Sequence, residues 1–309
     1  MTAATVAPLM AGMSGPVEPP FPWMGGKRRL AEKINAMLPS PSSSTTYIEP
    51  FFGAGAIFFS RRPCGVEVIN DKNMEIINFF QVLRDDGEKL VDYLQNVPYS
   101  RALFYEWRKR FPGDATPMER AARFFYLARS SFAGQSTGRT PSWAFARVDN
   151  RARSMSLVVD NELLLVRDRL RHAYIENDDG VRIIGRFDGP DTIIYCDPPY
   201  VAATRSDGGY EHELSADDHA RLLSVLKNAQ GYVAISGYPS DLYADLLECD
   251  GWEWRDLALR CKANQSRERQ DWRGMDRVER VWLNPRLAEW NREHSFRPAT
   301  LNLFGDGAE

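Results

Sequence analysis

The densest chemistry in this sequence lies in four residues, Asp197-Pro198-Pro199-Tyr200. Two consecutive prolines remove backbone donors and stiffen the chain. What remains is a set of acceptors, the Asp197 carboxylate and the Pro198 carbonyl, beside the aromatic face of Tyr200. An exocyclic amine on a planar base offers two N–H donors and a lone pair delocalised into the ring. Two acceptors that hold both hydrogens favour a more tetrahedral nitrogen, whose lone pair is then available to an electrophile. Tyr200 supplies a surface on which the base can stack. The bland alternative is a Pro-Pro turn that merely ends a strand.

A second constellation is Glu49-Pro50-Phe51-Phe52-Gly53-Ala54-Gly55. Glycines let the backbone approach a ligand closely, and a helix opening there favours polar or anionic groups. About 20 residues on, Val66 to Ile69 ends at Asn70-Asp71. An acidic residue at that place can accept hydrogen bonds from both hydroxyls of a ribose; it can equally cap the helix that follows. Together the two motifs point to a nucleoside cofactor without saying which.

The elements that must position these residues read as an alternation. Tyr47 to Glu49, Val66 to Ile69, Thr192 to Tyr195 and Tyr232 to Ile235 are short and almost wholly apolar, as strands covered on both faces are. Arg28 to Met37, Met74 to Leu83 and Ala216 to Lys227 carry helical patterns between them. This predicts a parallel α/β sheet with the two motifs at its C-terminal edge. Trp252 to Arg260 and Val278 to Leu283 are expected to close one edge as an antiparallel pair. Tyr99 to Tyr174 breaks the rhythm and reads as a mostly helical insertion, clearest at Met118 to Arg129 and Asn161 to Tyr174, with a polar loop or hairpin at Gly134 to Asn150.

Composition sets the outer limits. The chain has 309 residues, 43% hydrophobic and 26% charged, which excludes disorder along its whole length. No run of about 18 apolar residues predicts a membrane-spanning helix. The four cysteines have no metal-ligand spacing and are expected as free thiols in a reducing cytoplasm. The four histidines (His172, His212, His219 and His294) are likewise expected at the surface, and no metal is expected. The net charge is -3, yet Tyr99 to Tyr174 carries +7, so the remainder carries -10. Such asymmetry fits a segment that meets phosphates; a solvated arginine-rich helical surface fits it as well.

Taken together, Trp23-Met24-Gly25-Gly26-Lys27, Glu49 to Gly55, Asn70-Asp71, Asp197 to Tyr200 and Val281-Trp282-Leu283-Asn284-Pro285 resemble, in order, the motifs of the D12-class (α-group) DNA adenine-N6 methyltransferases, which include the GATC-type DNA adenine methylases. The resemblance runs from about Phe21 to Pro285 and is weakest from Tyr99 to Tyr174. It implies a Rossmann-like, seven-stranded methyltransferase sheet formed by residues 21–98 and 175–290. A target-recognition region is inserted at 99–174, with tails at 1–20 and 291–309. It implies S-adenosylmethionine as cofactor, contacted by Trp23, Lys27, Phe51, Gly53, Gly55, Asp71, Asp179 and Asp197. Asp197, Pro198 and Tyr200 would hold a flipped adenine in double-stranded DNA for direct transfer to N6. It also implies a cytoplasmic enzyme and admits a restriction endonuclease as partner. Related enzymes keep the alternatives open: cytosine-N4 enzymes more often carry Ser at the first position of the tetrapeptide, many RNA enzymes carry Asn, and a non-catalytic DNA-binding relative could retain the fold.

Two departures stand out. Gly180 follows Asp179 where the family often has Phe, so the ring that stacks on the cofactor adenine must come from elsewhere, with Phe187 a candidate. Ala128 and Ala133-Gly134 replace the family's Asn and Asn-Gly in the region that helps read DNA, so GATC specificity does not transfer. Arg129, Gln135, Arg139, Arg147, Arg151 and Arg153 are the candidate DNA contacts. Trp143 or Phe145 is the candidate to fill the gap left by a flipped base.

Overall fold

The computed structural model describes residues 16–23, 25–109, 115–131, 142–144, 150–201, 213–259 and 277–294. In chain order the elements are α1 (Ala31–Ala36), β1 (Thr46–Glu49), α2 (Ala56–Ser60), β2 (Val66–Asn70), α3 (Met74–Gln95), α4 (Arg101–Lys109), α5 (Pro117–Ser130), α6 (Arg151–Asn161), α7 (Leu163–Leu170), β3 (Ala173–Glu176), α8 (Gly180–Phe187), β4 (Thr192–Cys196), α9 (Ala216–Lys227), β5 (Tyr232–Gly237), α10 (Asp241–Leu246), β6 (Glu253–Leu259), β7 (Arg277–Leu283) and α11 (Pro285–His294).

The strands form one seven-stranded sheet in the order β3-β2-β1-β4-β5-β7-β6. The first five are parallel, and β7 runs antiparallel between β5 and β6. Strands β4 and β5 are buried nearly throughout because helices cover both faces, which is why their sequences are continuous apolar runs. Ile48 lies beside Val68 on one side and Ile194 on the other. Hence the residues that follow β1, β2, β3 and β4 all emerge at one edge. The chain steps outward from β1 to β3 and then returns to β4 on the other side. The crevice between β1 and β4 is therefore the point where the winding reverses, the usual ligand site of such sheets.

Local chemistry sets the helix starts. Thr116 and Glu119 form a reciprocal capping box with Pro117 in the first turn of α5. Ser215 and Asp218 do the same for α9, and Asn73 caps α3. Helix α3 continues well past Leu83, through a kink at Asp86, because Leu90, Val91 and Leu94 bury its second half. At the kink, a Cβ on Gly87 would come within 2.9 Å of the Arg167 side chain on α7.

The expected helix from Asn161 to Tyr174 is corrected. The helical pattern breaks at Glu162, α7 ends at Leu170, and Ala173 to Glu176 form strand β3. Pairing of this strand with Glu67 to Asn70 on β2 overrides the helical pattern. His219 is also corrected. It is fully buried, with Nδ1 3.1 Å from the Tyr243 hydroxyl, because it shares the inner face of α9 with Leu222, Leu223 and Leu226.

The helices of the inserted segment pack into the sheet's own core. Phe124, Phe125, Ala128, Val166 and Leu170 belong to the same apolar cluster as Phe21, Phe79 and Phe80, and the Phe79 and Phe125 rings stack at 5.6 Å. Ala128 is small because it lies in that core. The segment adds a smaller aromatic cluster around Phe104 and Tyr126.

Candidate active site

The segment Trp23 to Lys27 reaches two sheet-edge loops at once. A turn closed by the Gly26 N–H to the Trp23 carbonyl (3.0 Å), with Gly25 at φ 73°, sends the two side chains to different places. The Trp23 indole lies on the glycine loop after β1: a Cβ on Gly53 would come within 2.8 Å of Trp23 Cδ1, and Gly53 is at φ 53°. Only glycine fits there on both counts. Lys27 is buried, 4% exposed, and its ammonium lies 2.8 Å from both oxygens of Asp197 and 3.4 Å from Glu279 Oε1. It also donates to the Gly25 carbonyl at 2.6 Å.

Three loops after the parallel strands are tied to one another. Asp71 accepts from the Gly53 N–H and the Asn73 N–H, each at 2.8 Å, so its carboxylate faces the glycine loop rather than capping α3 directly. Asn70 donates to the Pro50 carbonyl at 2.8 Å and to the Asp178 carbonyl at 3.0 Å, and accepts from the Asp178 N–H at 2.8 Å. Asn177 donates to the Asp71 carbonyl at 2.7 Å. Asp179 caps α8 by accepting from the Val181 N–H at 2.8 Å, and its second oxygen meets Arg221 at 3.0 Å. Phe51 lies against Gly180: a Cβ there would meet three atoms of its ring at 2.9 to 3.3 Å. Phe187 is at the other end of α8, roughly 10 Å along the axis, beside Tyr174. The ring next to Gly180 is therefore that of Phe51.

Asp197, Pro198 and Tyr200 follow β4 directly. The Asp197 side chain is 21% exposed, Pro198 is buried, and Tyr200 is 5% exposed. The Tyr200 hydroxyl donates to Glu279 and lies 3.3 Å from Asp197 Oδ1. Lys27 sits 4.9 Å from its ring centre, and Tyr238 meets the ring edge-on at 4.6 Å. Glu279, on β7, is the functional-site residue that motif reading passes over. Its signal is faint but real: in a strand of period two it shares a face with the buried Val281 and Leu283.

Among the described residues, then, one ammonium faces two carboxylates, the buried Glu279 and the partly exposed Asp197. Burial pushes Asp197 above the usual aspartate range, against the pull of Lys27. Burial also raises Glu279; Lys27 opposes this and the charge of Asp197 adds to it. Burial pushes Glu49, at the end of β1, up to about 8, despite the hydrogen bond from Tyr47 (2.6 Å) and the charge of Arg61. Such a site suits a cation.

Of the candidate DNA contacts, Gln135, Arg139 and Arg147 lie outside the described residues, as does Phe145. Arg129 donates to the Pro20 carbonyl at 2.9 Å and to Ser154, and burial lowers its pKa. Arg151 begins α6 and Arg153 is exposed beside it. Trp143 packs on Tyr99 and Phe104 at 4.7 and 5.3 Å. Part of the positive excess of the insertion is internal: Arg120 pairs with Glu75, Arg167 with Glu88, and Arg169 with Glu67. No group of three or more His, Cys, Asp or Glu residues placed to hold a metal occurs among the described residues, and no described helix is long and apolar enough to cross a membrane.

The sequence profile of the D12 class N6 adenine-specific DNA methyltransferases matches residues 23–252, which span both loops of the crevice. The chain belongs to this family. It is 30% identical over 244 residues to the type II methyltransferase M1.LlaDCHI of Lactococcus lactis subsp. cremoris, covering 72% of this chain and 82% of that protein. It is 28% identical over 222 residues to a DNA adenine methylase of Haemophilus influenzae, covering 69% and 76%. A DNA N-6-adenine-methyltransferase of Escherichia phage P1 is 27% identical over 243 residues, 73% of this chain but 31% of the phage protein. The protein is an adenine-specific DNA methyltransferase with a Rossmann-like sheet. Glu279 lies beyond the matched segment.

Proposed function

We propose that the protein flips an adenine out of double-stranded DNA, at a defined sequence, and moves a methyl group from S-adenosylmethionine directly to its N6. The observation that carries this reading is the reach of one five-residue segment: Trp23 covers the cofactor-type loop at Gly53 while Lys27 holds Asp197. Cofactor loop and acceptor loop are thereby parts of one site.

The residues present fit the cofactor. Gly53 and Gly55 hold positive φ and let the loop backbone pass close under Trp23 and Phe52, Asp71 stands at the next strand end, and the two carboxylates around Lys27 favour a positively charged ligand. When bound, S-adenosylmethionine supplies an electrophilic methyl group on a sulfonium. In this reading Trp23, Phe51, Gly53 and Gly55 shape the pocket, Asp71 binds the ribose and Asp179 the adenine edge, which requires displacing Arg221. Phe51 supplies the ring that Gly180 lacks. Lys27 holds Asp197 oriented, and Asp197 with the Pro198 carbonyl accepts both N6 hydrogens. Tyr200 supplies the ring against which the base stacks. The exposed Arg153 and the half-exposed Arg151 meet the phosphate backbone in this reading, with Gln135, Arg139 and Arg147. Relatives named type II methyltransferases support a restriction endonuclease as partner.

Sequencing of modified bases in cells that express the protein gives the target context. A duplex with 2-aminopurine at the target adenine should then brighten when protein is added, and calorimetry should show S-adenosylmethionine binding that Asp197→Ala weakens. Unchanged fluorescence would remove base flipping from the reading, and no heat of cofactor binding would remove the donor.

A further inference from the structure

Asp197 and Glu279 are joined by one hydroxyl. Tyr200 donates to Glu279 Oε1, and its oxygen lies 3.3 Å from Asp197 Oδ1, while Lys27 touches both carboxylates. All of these groups except Asp197 are nearly inaccessible to water. A proton that reaches Asp197 therefore has a second carboxylate within one exchange, reached without crossing bulk solvent.

We propose that Glu279 is the resting place of the proton that adenine N6 loses, delivered from Asp197 through the Tyr200 hydroxyl. The proposal rests on the adenine-methylation reading above. The N6 lone pair forms the new bond to the methyl carbon, and the electron pair of the broken carbon–sulfur bond stays with sulfur. The methylated nitrogen, now positive, gives one N–H proton to an Asp197 oxygen and keeps the electron pair. Asp197 passes that proton to the Tyr200 oxygen as the Tyr200 hydroxyl proton moves to Glu279 Oε1. Tyr200 ends unchanged, Glu279 ends neutral, and the proton leaves for solvent in a later step.

The charged and titratable groups facing Glu279 are Lys27 from the N-terminal segment, Asp197 and Tyr200 from the loop after β4, and Tyr195 from β4 itself. Burial, and then the charge of Asp197, push Glu279 upward, while Lys27 holds it down. The acceptor must be ionised before transfer, so the rate of the chemical step rises with pH through the Glu279 titration and then levels. Glu279 acts at one remove from the substrate, and pH dependence and proton release distinguish this role from simple support of the fold.

The test is a single-turnover experiment at a mapped site, following methylated product and, with a pH indicator, proton appearance in the same mixture. Parent protein, Glu279→Gln, Tyr200→Phe and the double variant are compared, each with its unfolding temperature. In the parent, product should form before the proton appears. In Glu279→Gln the chemical step should slow by at least about tenfold, lose its rise with pH, and release its proton together with product. Tyr200→Phe should show the same loss, and the double variant should be no slower than the slower single one. The relay is overturned if Glu279→Gln keeps the parent's rate, pH profile and delayed proton, or if the two losses multiply. A parent that yields no N6-methyladenine overturns the adenine reading, and the relay with it. A parent that yields product with an unaffected Glu279→Gln overturns the relay alone.

Discussion

Glu49 should make this protein progressively less stable as pH rises from 4.5 to 8. The carboxylate closes β1, accepts a 2.6 Å hydrogen bond from Tyr47, and is almost fully inaccessible. Burial lifts its pKa from 4.5 to about 8. Between those values the folded chain binds a proton that the unfolded chain has released. Stability therefore falls with rising pH across this window and is unaffected by the group above it. A shift of this size corresponds to a ceiling of about 5 kcal/mol, at ~1.4 kcal/mol per unit. Glu49→Gln keeps an oxygen for Tyr47 and has no charge to bury. Urea unfolding of parent and variant at pH 5, 7 and 9 should give similar stabilities at pH 5 and a growing advantage for the variant, by several kcal/mol at pH 9. Asp197 and Glu279, also raised, tilt both curves in the same direction, so the difference between the curves isolates Glu49. Curves that run parallel from pH 5 to pH 9 would refute the reasoning.

Other changes test other joints of the molecule. Arg169→Met should cost about 3–5 kcal/mol in urea unfolding, because it leaves Glu67 buried without the guanidinium that grips it at 2.7 Å; a loss under about 1 kcal/mol speaks against that pairing as a tie between the insertion and β2. Gly53→Ala should weaken S-adenosylmethionine binding by about tenfold or more by calorimetry, since the residue is at φ 53° and its Cβ would meet Trp23 at 2.8 Å; unchanged affinity contradicts the role of that turn. Asp71→Asn can keep only one of the two backbone N–H bonds at Gly53 and Asn73, so cofactor affinity should again fall about tenfold with little change in unfolding midpoint.

Much of the site was legible because its residues carry rare local patterns. The Pro-Pro pair at a strand end and the Gly53/Gly55 turn each impose geometry that few other residues tolerate, and α9 shows its start in Ser215 and Asp218 and its stripe in Leu222, Leu223 and Leu226. The strand order, by contrast, is not a local property. Ala173 to Glu176 is a strand because β2 offers an edge, and nothing within those four residues outweighs the helical pattern that precedes them. The extent of α3 was hidden by Arg84-Asp85-Asp86-Gly87, a polar run that reads as a helix end but is accommodated as a kink against α7. Charge misleads in a similar way. The positive excess of the insertion fits either a phosphate-facing or a solvated surface, yet Arg120, Arg167 and Arg169 are engaged by carboxylates of α3 and β2. Glu279 escaped because a single glutamate in a strand flanked by arginines looks like solvent-facing alternation; only its shared face with Val281 and Leu283 marks it as buried.

The role proposed for Asp197 and Pro198 is to present the N6 of a DNA adenine to a methyl donor. It is tested most directly by incubating the protein with S-adenosylmethionine labelled in its methyl group and with separate DNA and RNA, digesting each to nucleosides, and identifying the labelled one by mass. Label in N6-methyldeoxyadenosine from DNA, absent with Asp197→Ala at unchanged unfolding temperature, is the predicted result. Label in N4-methyldeoxycytidine, label in RNA alone, or full labelling by Asp197→Ala would contradict it.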